Sequence, residues 1–189
     1  METIKKAGVF SINCYNKQDF FDDLENINFQ MASVMSSYEN TNLNFEDANQ
    51  QLTDLNTDLV VNDFLNVKLY VLYSNLENKP VGFALFSHDD ERNDWHLEFI
   101  STHADYAGEG LGEGLLKTAC ADLSKTQFKE MSSIVNRSNT SSIAMHRSLM
   151  NSANIEGFEE DLDENRLLFQ YNISKLQKSE KVDEDGLIY

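Results

Sequence analysis

The sequence predicts a mixed α/β fold in which one sheet carries amphipathic helices. Three observations predict it. Short apolar and β-branched runs at strand spacing recur through the second half of the chain. Segments with apolar residues at helical spacing lie before and between them, and a glycine-rich turn joins one strand directly to a helix. At 189 residues the chain has the length of one domain and can bury roughly two thirds of the surface its unfolded form exposes. Such a core needs no disulfide or structural metal. The expected division is one domain over residues 1–174, followed by a charged, unpatterned and mobile tail over 175–189.

The elements follow in order. Gly8 to Cys14 reads as a strand, and Phe20, Phe21, Leu24 and Ile27 form one helical stripe, with Leu52, Leu55 and Leu59 forming another. Ser36 to Glu46, rich in Ser, Asn and Thr, reads as the loop between them. From Lys68 the pattern changes. Leu69 to Tyr73 is a strand, Asn75 to Lys79 a turn, and Val81 to Phe86, apolar at both phases, a strand covered on both faces. After a polar loop over Ser87 to Asp94, Trp95, Leu97 and Phe99 alternate with His96, Glu98 and Ile100 in a third strand. Leu111, Leu115, Leu116, Ala119, Cys120 and Leu123 give the helix after the glycine turn one apolar side. A strand over Met131 to Asn136 leads to a helix over Ser141 to Met150, capped by Asn139 or Ser138. Gly157-Phe158 precedes an acidic turn, and Leu167, Phe169, Tyr171 and Ile173 alternate in a closing strand.

The chain has 15 basic against 32 acidic residues and a formal net charge of -17, with an ordinary hydrophobic share of 41%. That charge excludes a nucleic-acid or anionic-membrane surface as the expected partner. It permits a cationic one, although dispersed acidity also serves solubility. No run approaches the roughly 18 apolar residues of a membrane helix, and Met1 to Phe10 has lysines without an apolar stretch after them, so the expected location is the cytoplasm. Cys14 and Cys120 are far apart and outside any Cys/His cluster, which predicts buried thiols. His88, His96 and His103 lack metal-ligand spacing, so no metal site is expected. The oligomeric state is left open, a homodimer included.

Glycines at 108, 110, 112 and 114 are not there for helix propensity, since each costs about 1 kcal/mol relative to alanine inside a helix. Their use is steric. Between a strand and a helix N-terminus, glycines let backbone N–H groups approach an anion, and the helix end adds a favourable partial charge. A tight connection without a ligand would look the same.

With its flanks, this turn resembles that of the GNAT superfamily of N-acetyltransferases, whose pyrophosphate-binding turn reads Arg/Gln-x-x-Gly-x-Gly/Ala after a central strand. Gly110 and Gly112 occupy the glycine positions, and Leu115-Leu116 follow where that family has paired leucines. Downstream, Asn139-Thr140-Ser141-Ser142-Ile143-Ala144-Met145-His146 and then Gly157-Phe158 resemble the family's Asn-x-x-Ala/Ser-x-x-x-Tyr and later Gly-Phe. The sequence departs from the family in having Ala107 at the Arg/Gln position, Glu109 and Glu113 in the turn, and a longer connection over Asn151 to Glu156. Lys117, four residues after Glu113, can offset the acids.

The resemblance implies a GNAT-like mixed, mostly antiparallel six- or seven-stranded sheet with helices on both faces, splayed where the cofactor enters. It implies acetyl-CoA as co-substrate, gripped by the backbone of Ala107, Gly108, Glu109, Gly110, Leu111 and Gly112. Ile100, Ser101 and Thr102 would pair with the pantetheine arm and supply an oxyanion donor, and Asn139 would line the groove. His146 stands where the family has the tyrosine that protonates the leaving thiolate, and an imidazole titrating near neutrality could carry that proton. A core histidine is the competing assignment. The base is expected on the strand before the turn, as Glu98 or His96. The acceptor expected for an acidic chain is a cationic amine, whether small molecule or protein. A catalytically inactive GNAT-like binding protein and an acidic interaction protein remain the alternatives.

Overall fold

The computed structural model describes residues 2–7, 9–37, 43–61, 66–88, 93–151, 155–174 and 176. The elements are β1 (Glu2–Ala7), β2 (Phe10–Tyr15), α1 (Lys17–Asp22), α2 (Leu24–Met35), α3 (Phe45–Val61), β3 (Asn66–Ser74), β4 (Lys79–His88), β5 (Trp95–Thr102), α4 (Leu111–Leu123), β6 (Glu130–Asn136), α5 (Thr140–Met150), β7 (Glu156–Asp161) and β8 (Arg166–Asn172). One eight-stranded sheet runs β1-β2-β3-β4-β5-β6-β8-β7. Every neighbouring pair is antiparallel except β5 with β6.

Side-chain alternation assigns the two faces. Tyr70, Leu72, Ala84, Phe86 and Leu97 pack under α4 and α5 against Leu115, Leu116, Ala119 and Leu149. On the other face Leu69, Val71, Phe83 and Leu85 meet Ile27, Met31, Ala48 and Leu52 of α2 and α3. Val81 to His88 is buried throughout, as a strand covered on both sides must be. Asn16 closes a capping box on α1, and Asn139 caps α5 by accepting from the Ser142 N–H at 3.0 Å. Cys14 and Cys120 are both buried, and Cys120, enclosed by apolar groups, has its pKa pushed up to about 12 by desolvation. No described helix is long and apolar enough to cross a membrane.

The mixed, mostly antiparallel fold is the expected one, with differences at its edges. The region before residue 67 holds two strands, since β1 pairs with β2. Ser87 and His88 belong to β4, and the acidic turn expected after Phe158 is strand through Asp161. Residues 89–92 of the expected hairpin loop, 38–42 of the expected Ser-rich loop and most of the expected tail lie outside the described residues.

Candidate active site

The site begins with a bulge. Phe86 faces Leu97 while the adjacent Leu85 faces Phe99, so Glu98 is an extra residue on β5. Bulges bend a strand and raise its local twist. The parallel pairing of β5 with β6 spans only Trp95–Leu97 opposite Met131–Ser133 and stops at the bulge. From Glu98 to Thr102 the inner edge of β5 therefore faces an opening in the sheet rather than a neighbouring strand.

β5 then enters a short 3-10 turn, Ala104–Tyr106, and the glycine turn. Gly108 and Gly110 have φ of +81° and +75°, values that L side chains resist and glycine adopts without cost. The Gly114 N–H closes the first turn of α4 onto the Gly110 carbonyl at 3.0 Å. The N–H groups of Leu111, Gly112 and Glu113, ahead of it, are the unpaired first-turn donors of any helix, at the positive end of its dipole.

A groove of about 740 Å³ runs along this turn between β5 and α5, and Ile100, Ser101, Thr102, Ala107, Gly108, Gly110, Leu111, Gly112 and Asn139 all stand in its wall. Glu109 does not. Its side chain is exposed, and its N–H is turned inward to the Tyr106 carbonyl at 3.3 Å, so the turn presents the groove with its glycines instead. Glu113 does reach the groove, but its carboxylate is occupied. It pairs with Lys117 at 2.8 Å and accepts from the Ser148 hydroxyl at 2.7 Å, which together hold its pKa below the usual range. Glycine at 108, 110 and 114 leaves open space where a Cβ would stand. An anionic ligand with a long thin arm fits these features: open backbone donors at one end and a strand edge at the other.

A smaller cavity of about 170 Å³ lies in the opening between β5 and β6, and shares Ile100, Asn139 and Ser142 with the groove. Glu98 and His146 both line it. Glu98 is half-buried and accepts a short hydrogen bond from the Ser87 hydroxyl. The other base candidate, His96, is buried in the paired part of β5, with Nδ1 and the Ser132 hydroxyl 2.9 Å apart. It is outside the cavity wall, so the two candidates do not share the site.

His146 departs from expectation in its charge. It is 0% exposed, stacked on Phe169 with ring centroids 4.7 Å apart, and its Nδ1 lies 2.5 Å from the Tyr171 hydroxyl. Burial lowers its pKa to about 4. The imidazole expected to titrate near neutrality is thus neutral there, because no nearby anion offsets the cost of desolvating its cation. In packing it is a core histidine that also stands in the cavity wall. Its Nε2 has no partner among the described residues.

Several wall residues escaped the sequence reading. Ser141, Met145 and Ser148 line the groove at i, i+4 and i+7 of α5, a spacing that would have found them once Asn139 was placed. Tyr106, also in the wall, donates to Glu77 at 2.7 Å. Tyr171 gave only a strand signal.

Solved structures with the same fold are acetyltransferases of low sequence identity. RimL, a ribosomal L7/L12 alpha-N-protein acetyltransferase in complex with coenzyme A, matches with a TM-score of 0.59 at 10% identity, over 92% of this chain and 99% of that one. PaiA N-acetyltransferase from Thermoplasma acidophilum, in complex with coenzyme A, matches at 0.57 and 14% over 85% and 99%. A spermidine N-acetyltransferase SpeG chimera from Vibrio cholerae and hSSAT matches at 0.53 and 10% over 90% and 99%. No curated protein matches the chain in sequence. The family model described as Acetyltransferase (GNAT) family matches residues 35–150, more than half of the sequence, and the chain belongs to that family.

Proposed function

We propose that this acetyltransferase binds acetyl-CoA in the groove beside the glycine turn and passes the acetyl group to a cationic amine that reaches Glu98. One observation carries the proposal: the groove at the α4 N-terminus continues, through Ile100, Asn139 and Ser142, into the cavity that Glu98 and His146 line. The N–H groups of Leu111, Gly112 and Glu113 would hold the pyrophosphate. The unpaired edge of β5 over Ile100 to Thr102 would take the amide groups of the pantetheine arm and donate to the carbonyl oxygen as it gains negative charge. Acetyl-CoA supplies an activated acyl thioester.

The amine must be neutral to attack. Its nitrogen forms the C–N bond, the C–S bond breaks, and sulfur leaves with the electron pair. Glu98 takes the first ammonium proton before attack, directly or through one water, and releases it to solvent; the second proton, shed by the nitrogen once the C–N bond has formed, passes the same way to the departing sulfur, so that the balance is one amide, one thiol and one proton released, and the Ser87 hydroxyl keeps the carboxylate aimed. His146 is the group proposed to meet the departing sulfur. The net charge of -17 favours a cationic acceptor, and the neighbours include one named for a ribosomal protein and one named for spermidine.

Calorimetric titration tests the groove. Acetyl-CoA at 100 times its dissociation constant stabilises a protein by about 2.7 kcal/mol, so melting should rise with cofactor concentration. An unchanged melting temperature at millimolar acetyl-CoA would overturn the proposal. A catalytically inactive coenzyme A binder is the second reading, favoured by Ala107 and by a groove wall that has Glu113 but no lysine or arginine among the described residues. Binding without turnover on any amine would select it.

A further inference from the structure

Beyond the opening, the sheet has one face that no described helix covers. In β6, Met131, Ser133 and Val135 alternate with Ser132, Ile134 and Asn136, and Met131 and Val135 belong to the core beneath α4 and α5. Ile134 therefore points the other way. The register sets Leu168 and then Glu160 beside Ile134, and Gln170 and then Phe158 beside Ser132, so these residues share its face. Leu162, whose N–H donates to the Arg166 carbonyl at 3.1 Å, continues the alternation of β7 by one step. On the β3–β4 half of the sheet this face is buried by α2 and α3, and no residue of β6, β7 or β8 joins that cluster.

Apolar side chains lie open there. Ile134 is 40% exposed, Phe158 52% and Leu162 43%, and Leu168 among them is half-buried. Exposed apolar residues scattered singly need no explanation, whereas these stand together. The patch also joins the site. Ile134 lines the cavity between β5 and β6 together with Glu98. Glu98 belongs to the same face: its partner Ser87 stands opposite His96, which in turn stands opposite Ser132 and is bonded to it.

Charge selects the occupant. On the α5 side of β7, Glu159 and Asp161 are paired with Arg147 and Arg137. Glu130, Glu156 and Glu160 stand on the uncovered side, where Arg166 is itself held by Asp163 at 2.6 Å. A second copy seated here would set these acids against their own counterparts, because a two-fold interface brings one patch onto itself. A basic segment with apolar side chains complements both features.

We propose that this uncovered face of β6, β8 and β7 docks an extended basic and apolar segment of a protein acceptor, and leads that segment's amine past Ile134 to Glu98. This rests on the acetyl-transfer reading above and narrows its acceptor from any cationic amine to a polypeptide. Neighbouring strands lie about 4.8 Å apart, so β7 is roughly 10 Å across the sheet from Ile134. An extended chain covers that distance in about three residues. The reacting amine and an apolar anchor on Phe158 must be at least that far apart, and a small free amine gains nothing from the patch.

Two probes test this on the full chain: alaninamide, and a peptide of about ten residues with alanine at its N-terminus, a leucine pair beyond its third residue and arginines elsewhere. Arginine carries charge without being an acceptor, so each probe has the same single amine. With acetyl-CoA, kcat/KM for the peptide should exceed that for alaninamide at least about tenfold, chiefly through KM. Phe158→Ser with Leu162→Ser should remove most of that advantage and leave alaninamide turnover unchanged, since both side chains are exposed. Glu160→Lys should reduce it too, as should moving the leucine pair next to the N-terminal alanine. Equal kcat/KM for the two probes, or equal losses for both in the variants, overturns the proposal. So does a dimer in sedimentation that Phe158→Ser dissolves, because a second copy would then occupy the face. Docking is read without turnover by NMR: the same peptide, acetylated at its N-terminus, should shift backbone amides of β6, β8 and β7 in the cofactor-free chain. Shifts confined elsewhere, or none, overturn the proposal. Shifts at that face without acetyl transfer to either probe would instead overturn the acetyl-transfer reading.

Discussion

His146 is buried where its cation finds no partner, and that has a consequence for stability that is independent of any ligand. Its folded pKa is about 4, against roughly 6.5 for an unfolded histidine. Above pH 6.5 neither state holds the proton. Between 6.5 and 4 the unfolded chain takes it up and the folded chain does not, so the stability that neutral His146 contributes is lost as pH falls through this window. The loss should reach about 3 kcal/mol by pH 4. Stability curves for the unaltered chain and His146→Phe, measured in urea from pH 7 to pH 4.5, should converge toward acid, because the variant lacks this proton uptake. Parallel curves would mean that His146 is solvated. The sequence could locate this residue from its spacing after Asn139, but not its protonation, because Phe169 and Tyr171 arrive from β8.

The glycine turn was legible as an element because its cause is local. Positive φ at Gly108 and Gly110 and a helix start need only neighbouring residues, and the paired leucines fix the buried side of α4. The edge strands were not legible. β7 is exposed along its whole length and acidic, and β1 contains two lysines. Such strands belong to the sheet through backbone pairing, carry little hydrophobic pattern and use charge to deter further pairing. Within α4, two glycines separate binding from folding. Gly114 stands in the helix with open space around a Cβ and lies outside the groove wall, so Gly114→Ala should add about 0.5–1 kcal/mol of stability and leave acetyl-CoA affinity unchanged. At Gly112 a Cβ would meet Met145 Sδ at 3.3 Å and Thr102 Cγ2 at 3.7 Å inside the wall. Gly112→Val should weaken acetyl-CoA at least about tenfold, roughly 1.4 kcal/mol, in a chain that still melts cooperatively. Gly110 would be an ambiguous choice, since any side chain there is strained by its φ. Equal affinities for both variants would remove the turn from the binding site.

Across the whole molecule, the opening in the sheet depends on distant partners. Leu85, Phe86 and Leu97 set the bulge, and β6, some 35 residues further along, departs from β5 after Ser133. No local pattern encodes that divergence, which is why the sequence named Glu98 and His96 together and the fold separates them. The net charge of -17 is likewise a property of the whole chain, and it bears on which amine arrives. A field of one sign raises the local concentration of oppositely charged substrate, and the effect weakens as salt shortens the screening length from about 10 Å at 0.1 M. A polyamine or a protein amine would be drawn toward the cavity, where one nitrogen must still lose a proton to Glu98. The expected result is that kcat/KM is higher for cationic amines than for anionic amino acids, that the difference shrinks at high salt through the cationic substrates, and that Glu98→Gln moves the pH–rate profile to higher pH, where more of the amine is already neutral. His96→Ala should leave that profile in place, since His96 is bonded to Ser132 outside the cavity wall. A preference for anionic acceptors, or a cationic preference indifferent to salt, would break the link between charge and acceptor and leave the acidity a matter of solubility.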